Sequence, residues 1–212
     1  MKFFLKSKHW QLFIVVVGIP LVMEIVAFAL MFAKMFSFIL SNTQPDPIAM
    51  MSSMWSIIPL IMVVSIIIFF LWFYTLGVNL HRKLPSSVKM DINLFRVFIS
   101  YPVVYMLVFC FVMRYMVLHV MQTADNHSPI FFPASFLFVI PFHLFSIFCV
   151  FYCIYFVSKS LKSVALQREA LAGDYIVDFI LFWFFIVGIW FLQPTINKIF
   201  ADDSDQLISD GV

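Results

Sequence analysis

Charge is what this chain has least of: 11% of its 212 residues are Asp, Glu, Lys or Arg, against about 25% in a soluble domain. So few charges cannot cover a water-soluble globule of this size. The shortage excludes an ordinary cytosolic enzyme, a nucleic-acid-binding domain, a disordered regulator and a coiled coil. Short catalytic signatures are missing too: there is no GxSxG, HExxH, P-loop or GxGxxG, and no DxxD pair on a deep helix. Cysteine is rare. Cys110, Cys149 and Cys153 fall inside apolar runs without CxxC or Cys/His ligand spacing. They read as small apolar residues, and no metal or other cofactor is expected.

What the chain does have is apolar residues, 64% of the total. They gather into runs at 10–33, 55–77, 97–118, 130–157 and 176–196. Each is near the roughly 20 residues that cross about 30 Å of hydrocarbon at 1.5 Å per residue. A transmembrane barrel needs strands of about 10 residues alternating apolar and polar, whereas 57–73 is apolar on every face. The expectation is an all-α, polytopic membrane helix bundle of five transmembrane helices. It forms a single integral membrane domain over 1–212, with an acidic tail over 199–212.

The connections set an orientation. Ten of the thirteen basic residues lie in alternate segments: Lys2, Lys6 and Lys8; Arg82, Lys83, Lys89 and Arg96; Lys159, Lys162 and Arg168. The segments 41–53 and 121–129 contain no Lys or Arg, and the tail carries Asp202, Asp203, Asp205 and Asp210. The positive-inside rule puts the basic side in the cytoplasm. That places the N-terminus inside and the acidic C-terminus outside a cytoplasmic (inner) membrane. The basic loops can touch anionic headgroups, so the bilayer is the expected partner and no nucleic acid is. Lys2–Trp10, the apolar stretch after it and Ala27-Phe28-Ala29 also have the outline of a signal peptide. The length of that run and Glu24 inside it favour a retained anchor.

Internal similarity suggests two tandem hairpins after one N-terminal helix. Ile58-Pro59-Leu60 followed by Ser65-Ile66 resembles Ile140-Pro141-Phe142 followed by Ser146-Ile147. At a constant offset of 81, Phe70, Tyr74, Leu80 and Phe98 then meet Phe151, Tyr155, Leu161 and Phe179. Parallel repeats of this kind occur in membrane proteins, and shared Phe- and Ile-rich composition is the alternative source of such matches. In the second cytoplasmic connection, Gly173 suits a left-handed helix end and Asp174 an N-cap. In the first, Pro85-Ser86-Ser87 makes the turn and Asp91 or Asn93 starts the next helix.

Ionisable side chains within a span are costly and mark functional candidates. Glu24 lies about 18 Å deep if hydrocarbon begins near residue 12, and His143 reaches a similar depth from the other side. Together with Arg114 they form the candidate intramembrane polar site, read either as a proton-linked or ligand site or as an interhelical hydrogen bond. Arg114 and Lys34 near span ends can snorkel to water, and Trp10, Trp55, Trp190 and Tyr115 read as interfacial anchors. His119, Asp125 and His127 match no common zinc spacing. Pro20, Pro59, Pro102 and Pro141 each free a backbone carbonyl inside a span.

The fifth run ends Gly188-Ile189-Trp190-Phe191-Leu192-Gln193-Pro194-Thr195-Ile196-Asn197. With Gly173-Asp174-Tyr175-Ile176 before it, this stretch resembles the last helix of small uncharacterised bacterial multi-pass membrane proteins ending in a G-I-W-x-x-Q-P-x-I-N-like signature. The resemblance implies a multi-pass membrane protein and no activity. Gln193 and Asn197, four apart on one helix face, make a candidate contact patch at the outer interface.

Three function classes follow. The leading one is a non-catalytic protein acting through a partner or a second copy of itself, as an accessory or assembly subunit or an immunity-type factor. The second is a small proton- or solute-linked transporter or channel using Glu24. The third is a membrane enzyme using Glu24 and His143 as acid and base.

Overall fold

A computed structural model describes the backbone of residues 2–41, 47–123 and 131–209, and the side-chain surroundings of residues 3–41, 58–116, 137 and 139–201. Among the described residues all regular structure is helical. Helices α1 (Lys2–Lys6) and α2 (His9–Phe13) lead through a π-helical turn, Ile14–Gly18, into α3 (Ile19–Leu40). The wider turn sits immediately before Pro20, whose missing N–H needs no partner at the start of a helix. The long helices α4 (Pro47–Arg82), α5 (Ile92–Thr123) and α6 (Phe131–Leu166) follow, then α7 (Ala172–Trp183) and α8 (Phe185–Ser209).

Among the described residues, four segments are long and apolar enough to cross a bilayer: His9–Leu40, Ile58–Arg82, Ile92–Met116 and Val139–Leu166. The fifth run is different. It breaks at Phe184, and the apolar part beyond the break, Phe185–Ala201, is a shorter helix. At about 1.5 Å per residue α7 rises only about 18 Å, less than the roughly 30 Å of a hydrocarbon core. The expected five-span bundle is therefore corrected to four long helices and a broken fifth run.

Ring contacts fix the direction of each piece. Helix α7 runs antiparallel to α6: Tyr175 meets Tyr155 at 5.7 Å and Trp183 meets Phe151 at 4.0 Å. Helix α8 then runs parallel to α4. Phe185 lies 5.0 Å from Phe69, while fourteen residues on, Lys83 Nζ donates to Ile199 O at 2.8 Å. The fifth run thus enters and returns as a helical hairpin, and α8 passes Phe4 and Ser7 at Gln193 and Lys83 at Ile199. The described end of α8 and the N-terminal helices share one end of the bundle, where charge alternation had put them at opposite ends.

Two glycines allow the close approaches. A Cβ at Gly188 would fall on the carbonyl of Leu181, so only glycine lets α8 fold back over the end of α7. Gly188 N–H donates to Phe184 O at 2.8 Å and closes that bend. At Gly77 a Cβ would fall on the Phe95 ring, which fills the space between α4 and α5 and stacks on Phe156 at 4.4 Å. The core is aromatic: Trp72, Phe73, Phe95, Phe156 and Phe182 are among the largest fully buried side chains. Buried area of this kind gives water-driven stabilisation only where lipid is absent. Within a bilayer, packing and hydrogen bonding hold helices together.

The turns at the basic end are built from side chains. Asp91 Oδ1 accepts from the N–H groups of Asn93 (2.8 Å) and Leu94 (3.2 Å) and caps α5, as its position predicted. His81 Nε2 lies 3.0 Å from Met90 O across the same turn. After α6, Gln167 takes the left-handed conformation (φ 52°), with its side-chain amide on Val164 O at 2.8 Å. Gly173, expected in that role, lies inside α7 instead. The reason is local: Gln167 both turns the chain and satisfies one of the last carbonyls of α6.

Asp174 is not the N-cap either. From the third helical position its carboxylate accepts the N–H of Leu171 at 2.9 Å, and it pairs with Arg168 at 3.0 Å. The Leu171 N–H and the Arg168 guanidinium hold this carboxyl below the usual carboxylate range. Its stabilising effect is therefore complete above the ordinary carboxylate pKa and fades as pH falls through the lowered folded value. Asp174→Asn is expected to melt earlier than wild type at neutral pH. The two midpoints should converge on acidification in a thermal scan in micelles; a gap independent of pH would contradict the assignment.

Candidate functional site

The intramembrane residues singled out from sequence do not converge. Glu24 is half-buried on α3, a helix without a single buried residue, and makes no hydrogen bond or ion pair with any described residue. His143 turns to α5 instead: its Nδ1 lies 3.2 Å from Tyr105 Oη, with the two rings 5.8 Å apart. Arg114 is exposed on α5, nine residues beyond Tyr105, or roughly 13 Å further along that axis. Among the described residues no group of His, Cys, Asp and Glu is placed to hold a metal. His119, Asp125, His127 and Trp55 lie outside the residues whose side chains are described.

Gln193 and Asn197 are brought together, but not as an exposed patch. Gln193 is fully buried (0% exposed). The two hydrogens of its Nε2 are shared among Phe4 O (2.9 Å), Ser7 O (3.1 Å) and Asn197 Oδ1 (3.1 Å), its Oε1 is buried without a partner among the described residues, and Asn197 Nδ2 donates to Ser7 O (3.0 Å). The chemistry follows from helix ends. Because α1 stops after one turn, its last carbonyls have no amide to receive, and two amide side chains one helical turn apart supply the donors. The outer-interface patch is thus corrected to an internal clasp between the first and last helices. Trp190 belongs to the same joint, lying 4.8 Å from His9 and 5.8 Å from Phe13 while remaining exposed on its outer side.

A cavity of about 390 Å³ lies at the tip of the α7/α8 hairpin, between it and helices α4, α5 and α6. Two of its residues, Ile66 and Phe70 on α4, stand opposite Ile147 and Phe151 on α6. These are pairs that the 81-residue offset had matched in sequence. The break at Phe184 gives the cavity its floor, since Phe182, Trp183 and Phe185 all face it. Irregular backbone at membrane depth is tolerated where it is enclosed by protein or lines such a space. Its polar groups are His143 and Ser146. Ser146 is 6% exposed, and sequence reading missed it because a serine in a helix ordinarily bonds the carbonyl four residues back.

The described residues thus hold a carboxyl with no partner among them on a poorly packed helix, a clasp of amides, and an apolar cavity lined by His143 and Ser146. No protein-family model, no curated protein and no solved structure matches the chain.

Proposed function

We propose that this chain is a non-catalytic, multi-pass membrane protein that works by docking a transmembrane helix of a partner protein against α3. Glu24 carries the reading. It sits within the apolar span His9–Leu40, on a helix with no buried side chain and with no partner among the described residues. A charged carboxyl at the centre of a span costs about 2.5–3.5 kcal/mol on insertion scales. A neighbouring helix with a basic or hydrogen-bond-donating residue at matching depth offsets that cost and specifies the register. The long α3 surface, with Leu21, Phe28 and Phe32 all exposed, supplies the packing area around it.

The positive-inside rule puts the basic turns in the cytoplasm of a bacterial inner membrane. Because α8 runs past Ser7 and Lys83 toward that end of the bundle, this orientation puts the described end of α8 there too. Acid–base catalysis by Glu24 and His143 gains no support from His143's bond to Tyr105, and Glu24 is not among the residues lining the cavity, as a transport site would require.

A photo-crosslinking residue at position 28 tests the docking. The expected product is one discrete heterologous adduct, reduced about tenfold or more in Glu24→Leu, the loss of roughly one well-made buried polar contact, and largely kept in Glu24→Gln. An adduct of twice the chain's own mass, or yields indifferent to Glu24, would overturn the proposal.

A further inference from the structure

We propose that the cavity at the hairpin tip is a binding site for a neutral, planar, carbonyl-bearing amphiphile of the quinone kind, entering sideways from the bilayer. The volume, about 390 Å³, falls within the range of small-molecule sites, roughly 300–1,000 Å³. It is enough for a ring, with an alkyl tail left in the lipid. His143 is exposed at this cavity, whereas Ser146 is buried beside it. The two are three residues apart on α6 and so share a face.

The polar chemistry of the site is that of two uncommitted donors. Ser65, Thr75, Ser100 and Ser158 all donate to the carbonyl four residues back. Ser146 does not: the carbonyl it would use, Phe142 O, receives Tyr101 Oη at 3.5 Å, and the Ser146 hydroxyl has no hydrogen bond to any described residue. At His143 we assign the tautomer in which Nδ1 accepts from Tyr105 Oη at 3.2 Å; its ring N–H is then on Nε2, a donor as well. No Asp, Glu, Lys or Arg lines the cavity. Two neutral donors in an apolar space select an uncharged acceptor, because a charge there would be desolvated without a counter-charge. The walls add a shape requirement. Phe151 and Trp183 lie ring to ring at 4.0 Å, with Phe182 and Phe185 also lining the space, and planar conjugated groups stack on such surfaces.

The test is a titration of the purified protein in detergent micelles with a decyl-tailed benzoquinone, followed by tryptophan fluorescence. Wild type is expected to show saturable quenching. Ser146→Ala and His143→Leu should each weaken it about tenfold, the loss of one hydrogen bond to a buried acceptor. Ser146→Ala removes no internal hydrogen bond, so its melting midpoint should match wild type and its binding defect reads the site alone. Val150→Phe, which fills the cavity, should abolish saturation, and an alkane of equal length should not compete. Quenching that is unsaturable, or identical in wild type and Val150→Phe, reports partition into the micelle and overturns the proposal. Equal competition by a monoacyl ester would assign the carbonyl to a lipid and overturn the quinone assignment.

Discussion

Replacing Gly188 with alanine is expected to unseat the α7/α8 hairpin and to be the most damaging single-methyl change in the chain. The added Cβ would occupy the position of the Leu181 carbonyl. Backbone cannot step aside as a flexible side chain can, so the methyl has to be accommodated by opening the bend. Overpacking costs about 1–3 kcal/mol and more where nothing yields. Alanine also favours an uninterrupted helix over glycine by about 1 kcal/mol, which rewards straightening the break at Phe184. Both effects push one way: toward a continuous fifth helix carrying α8 away from Lys83 and Ser7. The loss should be about 3 kcal/mol or more by denaturation in micelles. In oriented vesicles, a cysteine at Ala201 should label from the same side as one at Lys8 in the wild-type background. In Gly188→Ala a fraction should label from the opposite side. Unchanged stability and unchanged sidedness would show that the bend does not depend on this glycine.

Gln193→Leu is expected to rank second. Leucine keeps the approximate volume and removes the amide that serves Phe4 O and Ser7 O. Asn197 still reaches Ser7 O, so the Phe4 carbonyl is the group left without its side-chain donor. Leaving a buried polar group unmade costs about 1–3 kcal/mol, and the Asn197 side chain loses a partner as well. Leucine also removes the buried, unpartnered Gln193 Oε1, so the net loss is about 1–2 kcal/mol, a melting shift of roughly 2–8 °C for a chain of this size. Proteolysis near Lys6 and Lys8 should accelerate in parallel, since α1 is held to α8 by these bonds. Gln193→Glu separates volume from donation: it keeps the shape and loses the donors, and it should be at least as destabilising as leucine. If both variants melt like wild type, the clasp contributes nothing.

These two positions also show which parts of the molecule can be read from residues alone. The four long helices are legible because a span needs only length and unbroken apolarity, and Ile58–Arg82 or Val139–Leu166 supply both. The cap at Asp91 is legible because capping is a local interaction. The break at Phe184 is not. Trp183-Phe184-Phe185 is as apolar as any span, the obvious breaker Pro194 lies harmlessly inside α8, and Gly188 is decisive only once Leu181 is known to face it. Charge alternation then predicted an odd number of crossings, although a hairpin that enters and returns satisfies the same distribution of basic residues.

The candidate site divides along the same line. That Gln193 and Asn197 share a face follows from helical spacing; that they face α1 follows from the fold-back. Glu24 was visible as an ionisable residue in a span, but its pairing with His143 was inferred from depth, and depth does not say which helices touch. Ser146 gave no signal, since its role rests on the absence of the bond that a helical serine ordinarily makes to the carbonyl four residues back.

The amide clasp also has a consequence for biosynthesis. Phe4 and Ser7 are translated about 190 residues before their hydrogen-bond donors, Gln193 and Asn197. Until α8 has been synthesised, the carbonyls of Phe4 and Ser7 therefore wait without these donors. Seating of the opening helix is thereby tied to the arrival of α8, as a contact that no nascent chain stopping short of that helix can make.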